Sequence, residues 1–183
     1  QGYVIIHQGD VGDYFYIIRE GKCSVTRKTS TDGWEVPLAE LSNGDSFGEE
    51  ALVSDDRRNA SVTMVTDGTL MRLSKQDFLE LLKKPLVHYV DYTLALSMIA
   101  DGDMWLDVRL PDEYANHAFK DSLNIPLLNL RDSATRLLPN RKYIICCDTG
   151  RRSASAAFLL SQRGFEVYVL EGGLNKGVPP EVF

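Results

Sequence analysis

The sequence predicts two domains, an antiparallel β domain followed by an α/β domain with a parallel sheet. Up to about Leu73, short β-type runs are separated by glycine, aspartate and asparagine turns. From Thr93 onward, short apolar strands alternate with helical patterns. This alternation is typical of a parallel sheet covered by helices on both faces. The rhythm changes near Pro85, and we place the boundary so that the domains comprise residues 1–89 and 90–183.

The first domain contains six predicted strands and one helix. Turn residues separate the strands because glycine, aspartate and asparagine tolerate positive φ or hydrogen bond to the local backbone. The strands are predicted at residues 3–7, 14–19, 23–28, 35–41, 61–65 and 69–73. A helix is predicted over residues 75–84, where Ser74 is the N-cap, Asp77 completes a capping box and Pro85 ends the helix.

The second domain contains four predicted strands and two helices. A helix ending at Ala100 comes first, and the strands follow at residues 104–108, 123–125, 143–147 and 166–170. The second helix, over residues 152–163, begins only a few residues after the third of these strands. Cys147 therefore lies in a tight loop between the end of a strand and the start of a helix.

The composition argues against several classes of function. The chain of 183 residues has a net charge of −6, both predicted domains carry more acidic than basic residues, and lysine and arginine do not cluster. We therefore expect no direct binding to nucleic acid. Apolar runs are too short for a membrane span, so we expect no membrane partner. Three cysteines do not suggest a disulfide framework, which favours a reducing, cytoplasmic location. Three histidines without a cysteine cluster at ligand spacing predict no metal site.

Cys147 is the candidate nucleophile. Backbone N–H groups and the positive end of the helix dipole converge on the loop, which favours a thiolate and attracts oxyanions. Gly150 allows the loop to curl, and Arg151 and Arg152 add positive charge for an anionic donor. The alternative is that Cys147 merely packs, as we expect for Cys146 inside the apolar run.

Five ordered motifs in the second domain resemble a rhodanese domain. They are Leu106-Asp107-Val108-Arg109, Glu113-Tyr114 with His117, Asn124-Ile125-Pro126-Leu127, Cys147-x-x-Gly150-x-Arg152-Ser153 and Leu170-Glu171-Gly172-Gly173. The resemblance covers residues 90–174 and implies a sulfurtransferase of the thiosulfate type that needs no cofactor. In such an enzyme the Cys147 thiolate takes sulfur from a small anionic donor, holds it as a persulfide and passes it to cyanide or a thiol. The implied active-site loop consists of Asp148, Thr149, Gly150, Arg151, Arg152 and Ser153.

Details of this loop separate sulfur transfer from a rival chemistry. Cysteine phosphatases use the pattern Cys-x5-Arg, but Ser153 stands six positions after Cys147, and the arginine comes one residue earlier. Sulfur transfer is therefore favoured over phosphate hydrolysis. The Asp148 carboxylate is expected to disfavour the thiolate form of Cys147 and to repel anionic donors, unless Arg151 or Arg152 pairs with it. We expect Asp107, Arg109 and His117 to brace the loop through a buried ion pair and a hydrogen-bonded histidine.

A segment of the first domain resembles a cyclic nucleotide-binding domain, which has a β-roll fold. The segment is Phe47-Gly48-Glu49-Glu50-Ala51-Leu52 followed by Arg57-Arg58-Asn59-Ala60-Ser61-Val62, with Gly9-Asp10-x-Gly12-Asp13 upstream. The match covers residues 2–82, and the family's elements before Gly2 are expected to be missing. It implies that cyclic AMP or cyclic GMP binds at Gly48, Glu49, Glu50, Ala51, Arg58, Asn59, Ala60 and Ser61.

Within that implied site, Arg58 neutralises the cyclic phosphate and Glu49 accepts a hydrogen bond from the ribose. A buried phosphate monoanion needs a fork-shaped cation, and a hydroxyl needs an acceptor. The alternative is that Arg58 only pairs with Asp55 or Asp56.

Together these patterns predict a sulfurtransferase whose activity responds to a cyclic nucleotide. One alternative is a non-enzymatic regulatory protein that senses a cyclic nucleotide or oxidants and uses the rhodanese fold as an interaction module. Another is an enzyme whose β-roll is a scaffold without a ligand. The sequence leaves the oligomeric state open, a homodimer included.

Overall fold

The computed structural model describes residues 1–28 and 34–179. The chain divides into two compact units, Gln1–Leu82 and Lys83–Phe183. This division lies a few residues before the boundary that we expected from the sequence. Within the described residues, no helix is long and apolar enough to cross a membrane.

The first unit is built from two antiparallel sheets, and its antiparallel β prediction is confirmed. The strands are β1 (Val4–Ile6), β2 (Tyr14–Glu20), β3 (Cys23–Lys28), β4 (Glu35–Leu41), β5 (Ser46–Phe47), β6 (Ser61–Met64) and β7 (Thr69–Ser74). One sheet has the order β1-β6-β3-β4 and the other the order β5-β2-β7. A short helix, α1 (Glu49–Ser54), follows β5. Apolar side chains from the two sheets, including Ile6, Ile18, Phe47 and Val62, form the core.

The helical region after β7 differs from the prediction, because it does not end before Pro85. The chain forms α2 (Lys75–Phe78), a π-helical turn (Leu79–Lys83) and α3 (Lys84–Leu86). The expected N-cap is confirmed, since the Ser74 hydroxyl accepts the Asp77 N–H at 3.2 Å. Proline lacks an N–H and crowds the carbonyl four residues earlier. The wider π-helical turn directly before Pro85 accommodates both effects, so the chain stays helical to Leu86.

The second unit is an α/β fold with a parallel sheet, as the sequence predicted, but the sheet has five strands rather than four. Its strands are β8 (His88–Val90), β9 (Met104–Asp107), β10 (Leu123–Asn124), β11 (Tyr143–Cys146) and β12 (Val167–Leu170). They lie in the order β10-β9-β11-β12-β8, and every pair is parallel. The helices are α4 (Tyr92–Ala100), α5 (Pro111–Asn116), α6 (Leu130–Ser133), α7 (Arg151–Ser161) and α8 (Gly173–Gly177). Strand β8 and helices α5, α6 and α8 were not predicted.

The parallel sheet determines where the site residues meet. All four residues of the central strand β11 are buried, and so are eight residues of α7. Because the carboxyl ends of parallel strands meet at one edge of a sheet, Asp107 at the end of β9 and Cys147 after β11 lie at the same edge. Trp105 in β9 stacks on Phe119 with ring centroids 4.0 Å apart, which packs the sheet beneath this edge.

Candidate functional site

Cys147 lies at the amino-terminal end of α7. Its side chain is buried, with 1% exposure, and the Ser153 backbone N–H donates to its Sγ at 3.4 Å. Gly150 is the N-cap of α7 and has a φ of 86°, a conformation that side chains other than glycine rarely adopt. This glycine turns the chain so that the Ser153 N–H, in the first turn of α7, faces the sulfur.

Helix α8 holds the other side of the cysteine loop. The Leu174 N–H donates to the Cys147 carbonyl and the Asn175 N–H donates to the Asp148 carbonyl, both at 2.9 Å. These donors belong to the first turn of α8, where N–H groups have no partner within the helix. The approach is so close that a Cβ on Gly173 would lie 2.4 Å from the Cys147 carbonyl oxygen. Gly173 therefore permits the contact between α8 and the loop.

The remaining loop residues have distinct environments. Thr149 and Arg151 are exposed, Arg152 is half-buried, and Gly150 is buried. Ser153 is fully buried, and its Oγ has no hydrogen-bond partner within residues 1–28 and 34–179. A buried hydroxyl without a partner costs free energy, so Ser153 is an unusual residue to place beside the sulfur.

Arg152 forms ion pairs with two carboxylates. Its Nη1 and Nη2 donate to both Glu113 oxygens at 2.7 Å, and Nη2 also donates to Asp148 Oδ2 at 2.7 Å. The hydrogen bonds from Arg152 lower the pKa of Glu113 from 4.5 to about 2. The pairing that the sequence required to offset Asp148 is therefore present. It also uses the positive charge that we expected to attract donors.

A second, fully buried ion pair braces the loop from below. Arg109 Nη2 donates to Asp107 Oδ2 at 2.7 Å and to the His117 carbonyl at 2.7 Å. Arg109 Nη1 lies 3.4 Å from both His117 Nε2 and Asp148 Oδ1. These contacts agree with the bracing role expected for Asp107, Arg109 and His117. Burial, followed by the charge of Asp107, raises the pKa of the neighbouring Cys146 thiol well above its ordinary value.

In the first unit, Arg58 occupies a buried pocket beside the start of α1. Its Nη1 donates to the Gly48 carbonyl at 2.6 Å, and its Nη2 donates to the Tyr14 carbonyl at 2.7 Å. Its ion-pair partner is Asp13, at 3.3 Å, while Asp55 pairs with Lys75 at 2.5 Å. Arg58 is only 5% exposed, so its guanidinium is held in one orientation.

Gly48 makes this arrangement of Arg58 possible. Its φ is 88°, and a Cβ would lie 2.8 Å from Arg58 Nη1. Glu49, the next residue, begins α1 and is buried with 7% exposure. The structure therefore brings the Gly48-Glu49 pair and Arg58 together, as the spacing of nine residues between Glu49 and Arg58 suggested.

The other predicted residues of this segment lie in α1 or directly after Arg58 in the chain. Glu50 and Asn59 are half-buried, and Ala51 and Ala60 are buried. Ser61 begins β6, and its Oγ accepts the Gln8 N–H at 3.0 Å. The backbone of Arg58 is tied to the upstream loop, because its N–H donates to the Asp10 carbonyl at 2.8 Å.

Sequence reasoning missed one partner of each key arginine, Asp13 for Arg58 and Glu113 for Arg152. In the sequence, Asp13 indicated only a turn, and Glu113 only a motif. Each partner is distant along the chain, by 45 residues for Asp13 and Arg58 and by 39 for Glu113 and Arg152. A carboxylate in a turn next to apolar strands can pair with a buried cation, but this signal does not specify which cation.

Family models identify both units. The model described as cyclic nucleotide-binding domain matches residues 1–85. The model described as rhodanese-like domain matches residues 91–178. The chain is a cyclic nucleotide-binding domain joined to a rhodanese-like domain. The cysteine loop belongs to the rhodanese-like domain, and the Arg58 pocket belongs to the cyclic nucleotide-binding domain.

Curated relatives resemble the cyclic nucleotide-binding domain. A cyclic AMP receptor protein from Thermus thermophilus is 35% identical over 117 residues, which are 63% of this chain and 54% of that protein. The cGMP-dependent protein kinase isozyme 1 of Drosophila melanogaster is 40% identical over 44% of this chain and 11% of the kinase. A cAMP-dependent protein kinase regulatory subunit from Dictyostelium discoideum is 43% identical over 42% of this chain and 24% of that protein. The chain thus spans about half or less of the length of these relatives.

The solved structures that are similar to this chain include the catabolite activator protein of Thermus thermophilus. It is 38% identical, with a TM-score of 0.43, over 46% of this chain and 39% of that chain.

Proposed function

We propose that the rhodanese-like domain is a sulfurtransferase that forms a persulfide on Cys147. The observation that supports this proposal is the position of the Cys147 sulfur at the amino-terminal end of the eleven-residue helix α7, with the Ser153 N–H directed at it. Backbone N–H groups and the helix dipole stabilise negative charge on sulfur, both before and after transfer.

The reaction has two steps that balance without a cofactor. The Cys147 thiolate attacks the outer sulfur of the donor, an S–S bond forms on Cys147, and the donor's own S–S bond breaks. The electron pair of that bond leaves with the rest of the donor. In the second step a thiolate or cyanide attacks the outer sulfur of the persulfide, and Cys147 returns as a thiolate.

Intact mass spectrometry tests this reaction on the full chain. After incubation with a sulfane-sulfur donor, the wild-type protein should gain one sulfur atom on Cys147 and lose it again on addition of cyanide, with release of thiocyanate. Cys147→Ser should gain none, while the matched control Cys23→Ser, which alters a buried cysteine of the other domain, should behave like the wild type. If the wild type gains no sulfur, the non-enzymatic regulatory alternative replaces this proposal.

We further propose that the amino-terminal domain binds cyclic AMP or cyclic GMP at Arg58. Support comes from the names of the relatives, which include a cyclic AMP receptor protein and cAMP- and cGMP-dependent kinase proteins. It also comes from the buried guanidinium of Arg58 beside Gly48 and Glu49. In this proposal Arg58 neutralises the cyclic phosphate and Glu49 accepts a hydrogen bond from the ribose.

Titration calorimetry with both nucleotides tests the site. The wild type should bind one of them, Arg58→Lys should bind at least about tenfold more weakly because a point charge replaces the planar fork, and Arg57→Ala should bind normally. Arg57 is a matched control because it is the adjacent arginine and is exposed. Equal binding by all three proteins would contradict the role of Arg58.

Regulation is the remaining part of the proposed function. We infer that nucleotide occupancy changes the rate at which Cys147 gains or releases sulfur. The measurement is the rate of sulfur loading at saturating cyclic AMP, saturating cyclic GMP and neither. Identical rates of sulfur loading in the three conditions would contradict regulation by the nucleotide. They would not contradict either sulfur transfer or nucleotide binding.

A further inference from the structure

The ion pairs around Cys147 contain one more carboxylate than guanidinium group. Arg109 pairs with Asp107, and Arg152 pairs with Glu113 and Asp148. Two guanidinium groups therefore face three carboxylates.

Arg151, the other arginine of the loop, does not reverse this balance. Arg151 is exposed at the start of α7 and is engaged in contacts of its own. When Arg151 is counted, the three arginines equal the three carboxylates in number. Taken together, these six side chains therefore give an approaching donor no net positive charge, and the loop offers it mainly backbone N–H groups.

The lack of net positive charge around Cys147 affects charged sulfur donors more than neutral ones. When a thiolate attacks the thiosulfate dianion, three negative charges come together around one sulfur atom. When a thiolate attacks an organic persulfide in its neutral R–S–SH form, only one negative charge is present. Like charges at close range repel strongly where solvent is partly excluded, and Cys147 is buried. Asp148 adds a further negative charge directly after the nucleophile.

We propose that Cys147 takes its sulfur from an organic persulfide rather than from the thiosulfate dianion. This inference rests on the proposed sulfur-transfer function and specifies its donor. The Cys147 thiolate attacks the terminal sulfur of R–S–SH, a bond forms between the two sulfurs, and the donor's S–S bond breaks. Its electron pair leaves as the thiolate R–S⁻, and the proton remains on the transferred sulfur. The N–H of Ser153 and the helix dipole suffice to hold the single charge.

A matched series of donors isolates the effect of charge. Thiosulfate and methanethiosulfonate both carry a sulfane sulfur bonded to an oxidised sulfur, but the first is a dianion and the second a monoanion. Cysteine persulfide, with its rate constant referred to the protonated R–S–SH fraction, represents the proposed donor class. For the full wild-type chain, the second-order rate constant for sulfur loading on Cys147, measured by intact mass, should rise in the order thiosulfate, methanethiosulfonate, cysteine persulfide.

Two substitutions should shift this preference in a defined direction. Asp148→Asn removes the carboxylate next to the nucleophile, and Glu113→Gln releases part of the Arg152 charge. Each substitution should raise the rate constant for sulfur loading from thiosulfate by about tenfold, which is the size of effect expected from one unit charge near a protein surface. The rate constant with methanethiosulfonate should rise less, because this donor carries one negative charge fewer. High salt should reduce the difference between donors in the wild type.

Glu166→Gln is the matched control for the loss of one negative charge. Glu166 pairs with Lys142 at 3.0 Å, and these residues precede β12 and β11. They therefore lie at the opposite edge of the sheet from Cys147, and donor preference should stay unchanged. Fluorescence of buried Trp105 checks that every variant is folded.

The outcomes separate this inference from the proposed function. If thiosulfate loads Cys147 as fast as methanethiosulfonate and cysteine persulfide, or if neither substitution changes the ratio of donors, the donor assignment is wrong while sulfur transfer stands. If Cys147 gains no sulfur from any of the three donors, the sulfurtransferase function itself is wrong. The inference is supported if the ratio of the rate constant with cysteine persulfide to that with thiosulfate falls in both Asp148→Asn and Glu113→Gln but not in Glu166→Gln.

Discussion

Replacing Glu113 by glutamine should destabilise the rhodanese-like domain in a pH-dependent way. In the folded protein both carboxylate oxygens of Glu113 accept hydrogen bonds from Arg152 at 2.7 Å. Glutamine keeps the shape of the side chain but loses its charge and one of its two acceptor oxygens. The remaining hydrogen bond is between a cation and a neutral amide, which is the weaker kind.

The size of the effect follows from the pKa of Glu113. These hydrogen bonds lower it from 4.5 to about 2, and each pKa unit corresponds to about 1.36 kcal/mol, so the pair contributes at most about 3.4 kcal/mol. The side chain of Glu113 is 33% exposed, and water screens such pairs. We therefore expect a loss of about 1 to 2 kcal/mol in the free energy of unfolding at pH 7.

The pH dependence has a definite direction. Because the pKa of Glu113 is lower in the folded state than in the unfolded chain, its contribution is complete above about pH 4.5 and is lost as the pH falls toward 2. The difference between the wild type and Glu113→Gln should therefore shrink to less than about half by pH 3.

Urea unfolding followed by tryptophan fluorescence measures this difference. The chain has two tryptophans: Trp105 is buried in β9, and Trp34 is exposed in the other domain. A Trp34→Phe background makes Trp105 the reporter of the rhodanese-like domain. Glu166→Gln, at an exposed pair, should change stability by no more than about 0.5 kcal/mol. A difference for Glu113→Gln that is below about 0.5 kcal/mol at pH 7, or equal at pH 7 and pH 3, would refute the reasoning.

Three further substitutions test close contacts at the two sites. Gly173→Ala should lower the free energy of unfolding by more than about 2 kcal/mol and abolish sulfur loading, because its Cβ would lie 2.4 Å from the Cys147 carbonyl oxygen. Gly48→Ala should weaken nucleotide binding at least about tenfold in calorimetry, because its Cβ would displace the Arg58 guanidinium. Ser153→Ala should leave stability unchanged or raise it by up to about 1 kcal/mol in urea unfolding, since the buried hydroxyl has no partner within the described residues.

Matched controls separate the collisions from backbone strain. Gly102 has a φ of 103° and Gly44 a φ of 89°, and a Cβ on either would meet nothing within 4 Å. Gly102→Ala and Gly44→Ala should therefore cost only about 1 kcal/mol from the positive φ and leave both activities intact. Equal effects at Gly102 and Gly173, or at Gly44 and Gly48, would contradict the collision argument. A loss above about 1 kcal/mol in Ser153→Ala would show that its hydroxyl is satisfied.

The regular elements were predictable because local patterns determine them. Strands β3 and β4 have the predicted bounds, since turn residues enclose an alternating or β-branched run. Strand β8 escaped prediction because it has three residues and exists only through parallel pairing with β12, far along the chain. The helical path through Pro85 also depends on a π-helical turn that no local preference indicates.

The candidate sites were predictable as segments but not as networks. The position of Cys147 between a strand and a helix follows from local rhythm, and so does the Gly48-Glu49 segment. The expectation that Arg152 would serve anionic donors took no account of Glu113, which reaches it from a separate helix. Ion-pair partners depend on tertiary packing, and a single sequence does not order the competing carboxylates.

The protonated state of Cys146 disfavours one route by which sulfur transferred to Cys147 could be released within the domain. All three cysteines of the chain are free and buried, and the high pKa of Cys146 keeps it a thiol. A thiol is a poor nucleophile, so Cys146 would not attack a persulfide on Cys147. Release would then depend on an acceptor, a thiol or cyanide, that reaches Cys147 from outside the domain. The proposed persulfide would therefore persist after the donor is gone, and it would be lost at a rate set by the acceptor concentration.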